Sequence, residues 1–444
     1  MQMARSEQLH GHADSLSIAE LFRHEPGFVF LDSASSNSHS SRFDLIAFHP
    51  TETLLCTDHS VSASHAFLDA WNQAYSLTRS SQQSHYPFLG GWIAALSYDF
   101  GEALQGICRN EKNKVIAHAA YYPWGILIDK HGPQTLWIDD GRVLPEHINA
   151  IKSRVKQALS EPPRSVVKGH ESAVAMGFEP RISRADYAKA FARIQGYLLA
   201  GDCYQVNYAQ PFASVTPIDP WDLYTGLRAK NAGEFGCFWP ETELGTFLSF
   251  SPELFLRTQG DRVLTSPIKG TAPRNEDPQR DQALALQLMQ SQKNRAENIM
   301  IVDLLRNDLG RVCEVGSVVT TAICELKSLP SVHHLVSHIE GTLPPESTPI
   351  DLLRAAFPGG SITGAPKRRA MEIIAELEVH PRGMYCGSVV ALGNHGTMVS
   401  SIAIRSMTLK GATATVWGGG GIVSDSQADE EYEECLTKLS KILS

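Results

Sequence analysis

The chain has 444 residues, of which 43% are hydrophobic and 20% charged, and this composition excludes a mainly disordered or fibrous protein. Its formal net charge of −9, from 39 basic and 48 acidic residues with no long run of either sign, does not indicate a nucleic-acid partner. No segment reaches the ~20 apolar residues that cross a bilayer, and residues 1–14 contain no apolar signal core. Eight scattered cysteines without a C-x-x-C pair are typical of a reducing compartment. We therefore expect a cytoplasmic protein with no membrane partner.

Residues 1–160 are predicted to form an N-terminal region of mixed strands and helices. Short apolar runs predict strands at Phe28–Leu31, Phe43–Phe48, Gly125–Asp129 and Gln134–Asp139, the last two as a hairpin. A polar segment with a Pro-Pro pair at 161–177 predicts a linker, so that a second region spans 178–444.

The second region interleaves strands and helices without a βαβ rhythm. Ser183 and Asp186 form a partial capping box before apolar residues at helical spacing, and this helix is predicted to stop near Gly201. One or two helices are predicted over 280–305, and a terminal helix over 427–443. Further strands are predicted at Gln205–Ala209, Gly236–Trp239, Thr246–Phe250 and Leu254–Arg257. The order favours α+β layers over a doubly wound sheet.

The segment SPIKGTAPR, residues 266–274, places Lys269 between two prolines. Proline restricts the backbone and glycine permits a tight turn, so the pattern predicts a rigid turn that holds the lysine. A lysine desolvated in such a turn can lose its proton and act as a nucleophile or a base. Spacing alone favours the alternative, a solvated turn lysine.

Acidic residues lie among apolar ones on the predicted helix around residues 294–308. A buried carboxylate needs a cation, for which Mg²⁺ and arginine are the usual choices. Glu297 is a candidate for such a metal site. For Asp303, Arg306 and Asp308 we favour a salt-bridge network at the end of the helix.

The segment FPGGSITGAPKRR, residues 357–369, is a candidate for anion binding. In a P-loop the lysine directly follows the second glycine, whereas here Ala365 and Pro366 intervene, which excludes that assignment. A loop that enters a helix with free N–H groups remains as the interpretation.

The segment WGGGGIVSD, residues 417–425, is a second glycine-rich candidate. Its four glycines predict a loop in which a ligand approaches the backbone closely. The following helix carries Glu431, Glu434 and Lys438 on one face. That spacing is typical of a solvated salt-bridge face, but beside a second acidic helix it also fits a Mg²⁺ site.

Taken together, these segments resemble the chorismate-utilising enzymes, the family of anthranilate synthase component I, the isochorismate and salicylate synthases, and aminodeoxychorismate synthase component I. The resemblance covers residues 178–444 and rests on SPELFL, PIKGTAPR, RAENIMIVDLLRNDLGR, VHHLVS, FPGGSITGAPK, SIAIRS and GGGGIVSDS. It implies a large layered α+β fold of antiparallel-rich sheets flanked by helices, with two intertwined subdomains as in anthranilate synthase component I. Residues 1–160 resemble the companion region of the component I proteins.

Two positions distinguish the branches of this family. Anthranilate synthases typically carry alanine where this chain has Lys269, whereas aminodeoxychorismate synthases carry lysine. Isochorismate and salicylate synthases carry a catalytic lysine where this chain has Gln205. The combination resembles the aminodeoxychorismate synthase branch, which converts chorismate and ammonia to 4-amino-4-deoxychorismate for 4-aminobenzoate and folate synthesis.

The resemblance implies catalytic roles for Lys269 and Glu253. Lys269 would attack C2 of chorismate while the C4 hydroxyl departs, and Glu253 would protonate that hydroxyl and later assist the incoming amine. Mg²⁺ held by Glu297 and Glu434, with Glu431 close by, would bind the ring carboxylate.

The resemblance also implies a set of substrate contacts. His334 matches a ring-contacting histidine, although from the residues alone we favour a core histidine bonded to the backbone. Arg405 lies in an apolar, strand-like run at 402–407, where an arginine is either paired or binds an anion. A partial match to a tryptophan-binding segment of anthranilate synthases implies a tryptophan site near Ser33. The remaining positions expected to hold the substrate carboxylates are Thr363, Tyr385, Gly419, Gly420, Gly421 and Lys438.

The sequence shows no glutaminase signature. The chain is therefore expected to use free ammonia or to receive it from a glutamine amidotransferase subunit. Two alternatives stay open. One is anthranilate synthase component I, which shares the substrate, and the other is a non-catalytic anion-binding regulatory module that kept the glycine-rich segments.

Overall fold

The computed structural model describes residues 4–9, 14–34, 42–82, 84–107, 114–132, 134–160, 176–231, 233–329 and 332–443. The predicted linker at 161–177 lies almost entirely outside these residues. In the described part of the chain, no helix is both long and apolar enough to cross a membrane.

The helices follow one another from the N-terminal region to the C-terminus. They are α1 (Ser15–Phe22), α2 (Val61–Thr78), α3 (Tyr98–Leu104), α4 (Pro145–Ser160), α5 (Arg184–Ala200), α6 (Pro220–Lys230), α7 (Pro278–Gln290), α8 (Gln292–Gly310), α9 (Pro349–Ala356), α10 (Lys367–Leu377) and α11 (Ala428–Leu443). A short 3-10 turn covers Gly360–Ile362.

The strands are interleaved with these helices. In the first region they are β1 (Arg5–Leu9), β2 (Val29–Asp32), β3 (Phe43–Ala47), β4 (Glu52–Cys56), β5 (Gly91–Leu96), β6 (Ala117–Tyr122), β7 (Trp124–Asp129) and β8 (Gln134–Asp139). In the second they are β9 (Glu179–Pro180), β10 (Gln205–Val215), β11 (Phe235–Thr242), β12 (Gly245–Ser251), β13 (Leu254–Gln259), β14 (Arg262–Ser266), β15 (Ile268–Pro273), β16 (Val319–Ser328), β17 (Val332–Thr342), β18 (Gly364–Ala365), β19 (Ser388–Gly393), β20 (Met398–Ile402), β21 (Ser406–Lys410) and β22 (Thr413–Ile422).

Local capping explains where several helices begin and end. Ser183 caps α5 by accepting a hydrogen bond from the Asp186 N–H, and Gly201 ends it in a left-handed conformation with φ of 79°. Both ends were predicted. The predicted run over 280–305 is two helices, because Ser291 adopts an extended conformation, ends α7 and caps α8.

The strands of the described ranges form two large sheets in which neighbours pair antiparallel. A twelve-stranded sheet has the order β1-β8-β7-β3-β2-β11-β12-β21-β22-β10-β18, with β9 beside β10. A ten-stranded sheet has the order β15-β17-β14-β13-β20-β19-β5-β6-β4, with β16 beside β17. The predicted β7–β8 hairpin is present. This architecture confirms the predicted α+β fold rich in antiparallel sheets.

Each sheet takes strands from both sequence regions. In the twelve-stranded sheet β2 pairs with β11, with Phe30 opposite Phe238. In the ten-stranded sheet β5 pairs with β19, with Ala94 opposite Val390. The two regions are therefore intertwined.

The two sheets stack as layers. Alternate residues of a strand face opposite sides, and in β5 Trp92 and Ala94 pack in a core with α2, whereas Ile93 and Ala95 enter a second core. That second core also contains Leu45 from the twelve-stranded sheet, so it lies between the sheets. The outer face of the twelve-stranded sheet is covered by residues from α1, α4 and α6.

Two segments predicted as a turn and a loop are strands. The Lys269 segment is β15, an edge strand beside β17, in which a register shift between Ile268 and Thr271 surrounds Gly270 at φ of 82°. This is a β-bulge, which explains the turn-like Pro and Gly content. The glycine-rich segment predicted as a loop lies in β22, paired with β10 along its length. Close packing leaves no room for a side chain at Gly419, because a Cβ there would lie 2.5 Å from the Tyr208 carbonyl oxygen.

Candidate active site

Lys269 lies half-buried in the bulged strand β15. Its Nζ donates a hydrogen bond to the Ser361 carbonyl oxygen at 3.1 Å. Burial lowers the pKa of Lys269, while the Glu253 and Glu297 carboxylates oppose the shift and the Lys438 charge adds to it. The interpretation of a solvated turn lysine is therefore wrong. The shift is towards the neutral amine, which is the nucleophilic form.

Glu253 follows β12 at the point where the chain enters β13, and only 6% of it is exposed. Burial raises the pKa of this carboxyl, against opposing effects of a Ser361 side-chain hydrogen bond, Lys269 and Arg405. Glu253 therefore keeps its proton to higher pH than an exposed glutamate does. A protonated carboxyl beside a neutral amine can donate to a leaving group.

Ser361 joins these two groups. Its carbonyl accepts from Lys269, and its side chain hydrogen-bonds to Glu253. Sequence reasoning placed this residue in the glycine-rich segment at 357–369 but assigned it no role. The only local signal was its position after two glycines, which let the chain turn tightly.

His334 lies in β17 opposite Thr271 of β15. Its Nδ1 is 2.8 Å from the Thr271 hydroxyl, and its Nε2 is buried without a hydrogen-bond partner among the described residues. Burial, assisted by Arg405, lowers the pKa of His334 to about 4. The ring is therefore neutral at physiological pH. The alternative of a core histidine bonded to the backbone could explain the contacts of at most one ring nitrogen, because Nε2 has no partner among the described residues.

Arg405 lies where the chain passes from one sheet to the other. It follows β20 of the ten-stranded sheet and precedes β21 of the twelve-stranded sheet, with φ of 50°. The predicted strand-like run at 402–407 is thus a junction, because a continuous strand cannot belong to both layers. The side chain is half-buried, and burial lowers its pKa while Glu253 opposes that shift. No hydrogen bond or ion pair joins Arg405 to a described side chain, which suits an arginine that receives an anion.

Three carboxylates from two helices influence one another. Burial raises the pKa of Glu297 on α8, and Glu434 and Glu431 on α11 raise it further. Burial and Glu434 also raise the pKa of Glu431, against a 2.7 Å hydrogen bond from the Ser426 hydroxyl. Like charges held this close favour a bound cation.

Lysines pair with two of the three carboxylates in this cluster. Lys438 lies 2.7 Å from Glu434, and this pair lowers the pKa of Glu434 although burial opposes it. Lys293 lies 3.7 Å from Glu431. Among the residues described, no three histidine, cysteine or acidic side chains are already gathered as ligands of a metal ion.

The chemistry of the carboxylate cluster nevertheless fits a hard divalent cation. Its donors are all oxygen atoms, which Mg²⁺ prefers. Gly420 borders it, because a Cβ there would lie 2.9 Å from Glu431 Oε2 and 3.9 Å from Glu434 Oε1. The glycine therefore leaves the carboxylates room that any other residue would fill.

Gly419 and Gly421 of β22 face residues of the neighbouring strand β10. Gly421 lies opposite Asn207, and a Cβ on it would lie 2.0 Å from Gln205 Nε2. The Gly419 carbonyl accepts a hydrogen bond from Lys438 Nζ at 3.1 Å. Gly419, Gly420 and Lys438 thus lie together beside the carboxylates.

Thr363 and Tyr385 have structural contacts of their own. Thr363 is fully buried, and its hydroxyl donates to the Gly359 carbonyl at 3.1 Å, so it stabilises its own turn. The Tyr385 ring stacks on Trp417 of β22, with 5.7 Å between ring centroids. Their substrate-binding roles stay predictions.

The end of α8 differs from the predicted salt-bridge network. Arg306 is 3.9 Å from exposed Asp303, but Asp308 is buried and pairs with Lys367 of α10 at 2.6 Å. Burial lowers the pKa of Lys367 and raises that of Asp308, so neither charge is stable without the other. Tertiary packing of α10 against α8 provided a partner that sequence spacing did not reveal.

Ser33 lies just after β2. Its N–H donates to Asp44 Oδ1 at 3.0 Å, and its carbonyl accepts from Lys130. The neighbouring Leu31 and Asp32 line a cavity of about 250 Å³ that lies between strands of the two sheets. The predicted tryptophan site near Ser33 thus has a cavity beside it.

The layered fold and a site that combines an acid, an amine and clustered carboxylates define the class of this protein. The chain belongs to the chorismate binding enzyme family, whose sequence profile matches residues 28–444. This confirms the predicted family.

Individual relatives refine the comparison. The aminodeoxychorismate synthase component 1 of Escherichia coli strain K12 is 36% identical over 441 residues, which cover 95% of this chain and 93% of the relative. The anthranilate synthase component 1 of Thermus thermophilus is 39% identical over 277 residues, which cover 62% of this chain and 60% of the relative. The crystal structure of anthranilate synthase component I from Streptococcus pneumoniae matches with a TM-score of 0.78 at 29% identity, over 92% of this chain and 93% of that chain.

Proposed function

We propose that this chain converts chorismate and ammonia to 4-amino-4-deoxychorismate, as an aminodeoxychorismate synthase component 1. The observation that carries the proposal is the joint contact of Lys269 and Glu253 with Ser361. It brings an amine that favours its neutral form together with a carboxyl that favours its protonated form. The near full-length relative of that name from Escherichia coli supports the choice within the family.

In the first step, the neutral Lys269 amine forms a bond to C2 of chorismate. The ring double bond shifts and the C4–O bond breaks, while Glu253 transfers its proton to the departing hydroxyl, which leaves as water. The products of this step are a covalent lysine adduct and the Glu253 carboxylate.

In the second step, ammonia forms a bond to C4 and the Lys269–C2 bond breaks. Lys269 leaves as the neutral amine, and the proton lost by the new C4 ammonium group returns to Glu253. Both residues regain their starting states. The enolpyruvyl group is retained throughout.

Substrate orientation is assigned to the groups around this pair. Arg405 and Lys438 would bind the chorismate carboxylates, with the backbone near Gly419, Gly420 and Gly421 close to them. The buried Nε2 of His334 is a polar group available to the ring or its substituents.

Family members generally depend on Mg²⁺, and we assign its ligands to Glu297 and Glu434, with Glu431 nearby. When bound, the ion neutralises the ring carboxylate and orients it. Lys438 pairs with the Glu434 carboxylate in this structure. It must therefore leave that carboxylate in order to bind the substrate.

We assign the ammonia supply to a separate glutamine amidotransferase subunit. The relative's designation as component 1 implies a partner component. We expect the chain alone to form the product from ammonium. With glutamine as the nitrogen source, we expect product only when a co-purified amidotransferase is present.

The test of the proposed function is incubation of the purified chain with chorismate, Mg²⁺ and ammonium at mildly alkaline pH, with products resolved by mass. We expect 4-amino-4-deoxychorismate from the wild type and from Lys189→Ala, which alters an exposed lysine on α5. Lys269→Ala is expected to lose at least about a hundredfold in rate, as for a group acting on reacting atoms.

The outcomes separate the alternatives. Anthranilate as the product would make the chain an anthranilate synthase component I, a reading that the Thermus relative keeps open. No Mg²⁺-dependent consumption of chorismate would indicate the non-catalytic anion-binding module. Full activity of Lys269→Ala would exclude Lys269 as the nucleophile.

We also propose that tryptophan binds in the cavity beside Ser33. Phe43 offers an aromatic wall, and Asp32 and Glu234 line the cavity as acidic residues that pair with Arg228 and Lys327. Titration calorimetry is expected to show heat on addition of tryptophan, and less heat with phenylalanine. Absence of heat with tryptophan would remove the proposal.

A further inference from the structure

A buried ion pair lies behind the candidate active site, at the start of the segment that joins α10 to β19. Arg382 and Glu378 have side chains that are 0% and 1% exposed, and Arg382 Nη2 is 2.7 Å from Glu378 Oε1. Arg382 Nε also donates to Glu378 Oε2 at 2.8 Å, which completes a two-pronged contact. Neither residue was singled out by sequence reasoning or by the mechanism above.

The remaining donors of Arg382 reach two separate elements. Nη1 donates to the Ile362 carbonyl at 3.0 Å, in the turn that follows Ser361. Nη2 donates to the Asn207 carbonyl at 2.6 Å, in β10. Glu378 adds a second hold on β10, because its Oε1 accepts from the Ala209 N–H at 2.9 Å.

These elements carry the candidate site. The turn presents Ser361, the residue that contacts both Lys269 and Glu253. Strand β10 supports the glycine strand β22, with Asn207 opposite Gly421 and Ala209 opposite Gly419. One guanidinium group therefore contacts both elements, which are also joined by a backbone hydrogen bond from the Asn207 N–H to the Thr363 carbonyl at 2.9 Å.

The same guanidinium lies among aromatic rings. Its carbon is 4.4 Å from the ring centroid of Tyr98 and 5.9 Å from that of Tyr385. The Tyr385 N–H donates to the Arg382 carbonyl, so the backbone here also turns around Arg382. A planar fork suits these simultaneous contacts better than the single ammonium group of lysine does.

We propose that Arg382, held by Glu378, is a positioning residue for the chorismate reaction. It fixes the turn that carries Ser361 against β10, and through Ser361 it sets the placement of Lys269 and Glu253. It does not touch the substrate. This inference rests on the proposed function, because it concerns the same two reacting groups.

The main test is a variant in which both charges are removed together, Glu378→Gln with Arg382→Met. Removing both partners avoids an unpaired buried charge, so the chain is expected to fold. The hydrogen bonds from Arg382 to the Ile362 and Asn207 carbonyls are lost in this variant. We expect kcat per folded molecule to fall at least about tenfold with KM for chorismate changed less than about threefold, because misplacement affects the reacting geometry.

Two further variants make the result specific. Arg382→Lys keeps one donor group, and its kcat is expected to lie between that of the double variant and that of the wild type. Arg368→Lys is the matched control, because Arg368 and Glu372 form an exposed i,i+4 pair on the same stretch of chain. It is expected to match the wild type in kcat and KM.

The folded fraction is measured for every variant by thermal unfolding, and kcat is divided by it. A folded double variant with wild-type kcat would show that the pair has a structural role alone and would overturn the proposal. If the double variant does not fold, Arg382→Lys decides, and wild-type kcat in that variant is the overturning result. Failure of the proposed function is distinguishable from failure of this inference. If the proposed function is wrong, the wild type and Arg368→Lys also give a different product or no product.

Discussion

Burial shifts the pKa values of the two side chains that are proposed to react, Lys269 and Glu253. Desolvation lowers the pKa of Lys269 and raises that of Glu253, and in each case it outweighs the opposite charge nearby. The same physical effect therefore shifts the amine towards its neutral form and the carboxyl towards its protonated form. A solvent-exposed pair would instead favour an ammonium and a carboxylate, which cannot perform the first step of the proposed reaction.

His334 provides a stability test at the same scale. Its pKa in the folded chain is about 4, below the ordinary value near 6.5. Between these pH values the unfolded chain binds a proton that the folded chain does not, so the free energy of unfolding falls as the pH is lowered from 6.5 towards 4. The loss attributable to His334 is at most about 3 kcal/mol.

The variant His334→Gln is expected to show a shallower decline of unfolding free energy over that pH range than the wild type. The measurement is urea unfolding at a series of pH values. His24→Gln, at an exposed position, serves as the control and is expected to keep the wild-type slope. Equal slopes for His334→Gln and wild type would contradict the assignment of a neutral buried ring.

The position of each glycine in its strand determines whether another residue can replace it. In β22 the glycines alternate between the carboxylate side and the face that packs on neighbouring backbone and side chains. A Cβ on Gly420 would meet the ends of the Glu431, Glu434 and Lys438 side chains, whereas one on Gly419 would meet the backbone of Tyr208 and Ala209. Side-chain ends can move, but a paired strand cannot move without losing its ladder.

Gly419→Ala is therefore expected to lower the free energy of unfolding by about 2 kcal/mol through overpacking. Gly420→Ala is expected to lower it by less than about 1 kcal/mol. Urea unfolding at neutral pH measures both. A larger loss in Gly420→Ala than in Gly419→Ala would mean that the carboxylate side, and not the strand pairing, requires glycine here.

Over the whole molecule, the two sequence regions share both sheets. The predicted division into 1–160, a linker at 161–177 and a catalytic domain at 178–444 stays a prediction about chain organisation. The pairings β2–β11 and β5–β19 nevertheless cross from one region to the other. Separating the regions would expose strand edges in the middle of each sheet.

Two polypeptides covering 1–160 and 176–444 are expected not to fold when expressed separately. Expressed together, they are expected to form a 1:1 complex that unfolds in one cooperative transition. Size-exclusion chromatography and thermal unfolding are the measurements. A cooperative transition of 176–444 by itself would show that the second region is an independent domain.

The sequence by itself determined the fold class, the family and many element boundaries. Helix α5 begins at its Ser183 cap and ends at Gly201 because capping and left-handed glycine are local effects. Hairpin β7–β8 follows from two apolar runs and a short connection. Long motifs such as PIKGTAPR identified the family and brought Lys269 to attention, since they preserve residue order regardless of the surrounding fold.

Only the tertiary structure decided how those residues are held. The turn-like content of the Lys269 segment belongs to a bulge, and the glycine-rich segment is a strand, because the neighbours that impose both lie far away in sequence. The partner of Asp308 and the contacts of Arg382 are likewise distant in the chain. Burial, which shifts the pKa values of Lys269 and Glu253, depends on these long-range contacts, and a sequence pattern records only local spacing.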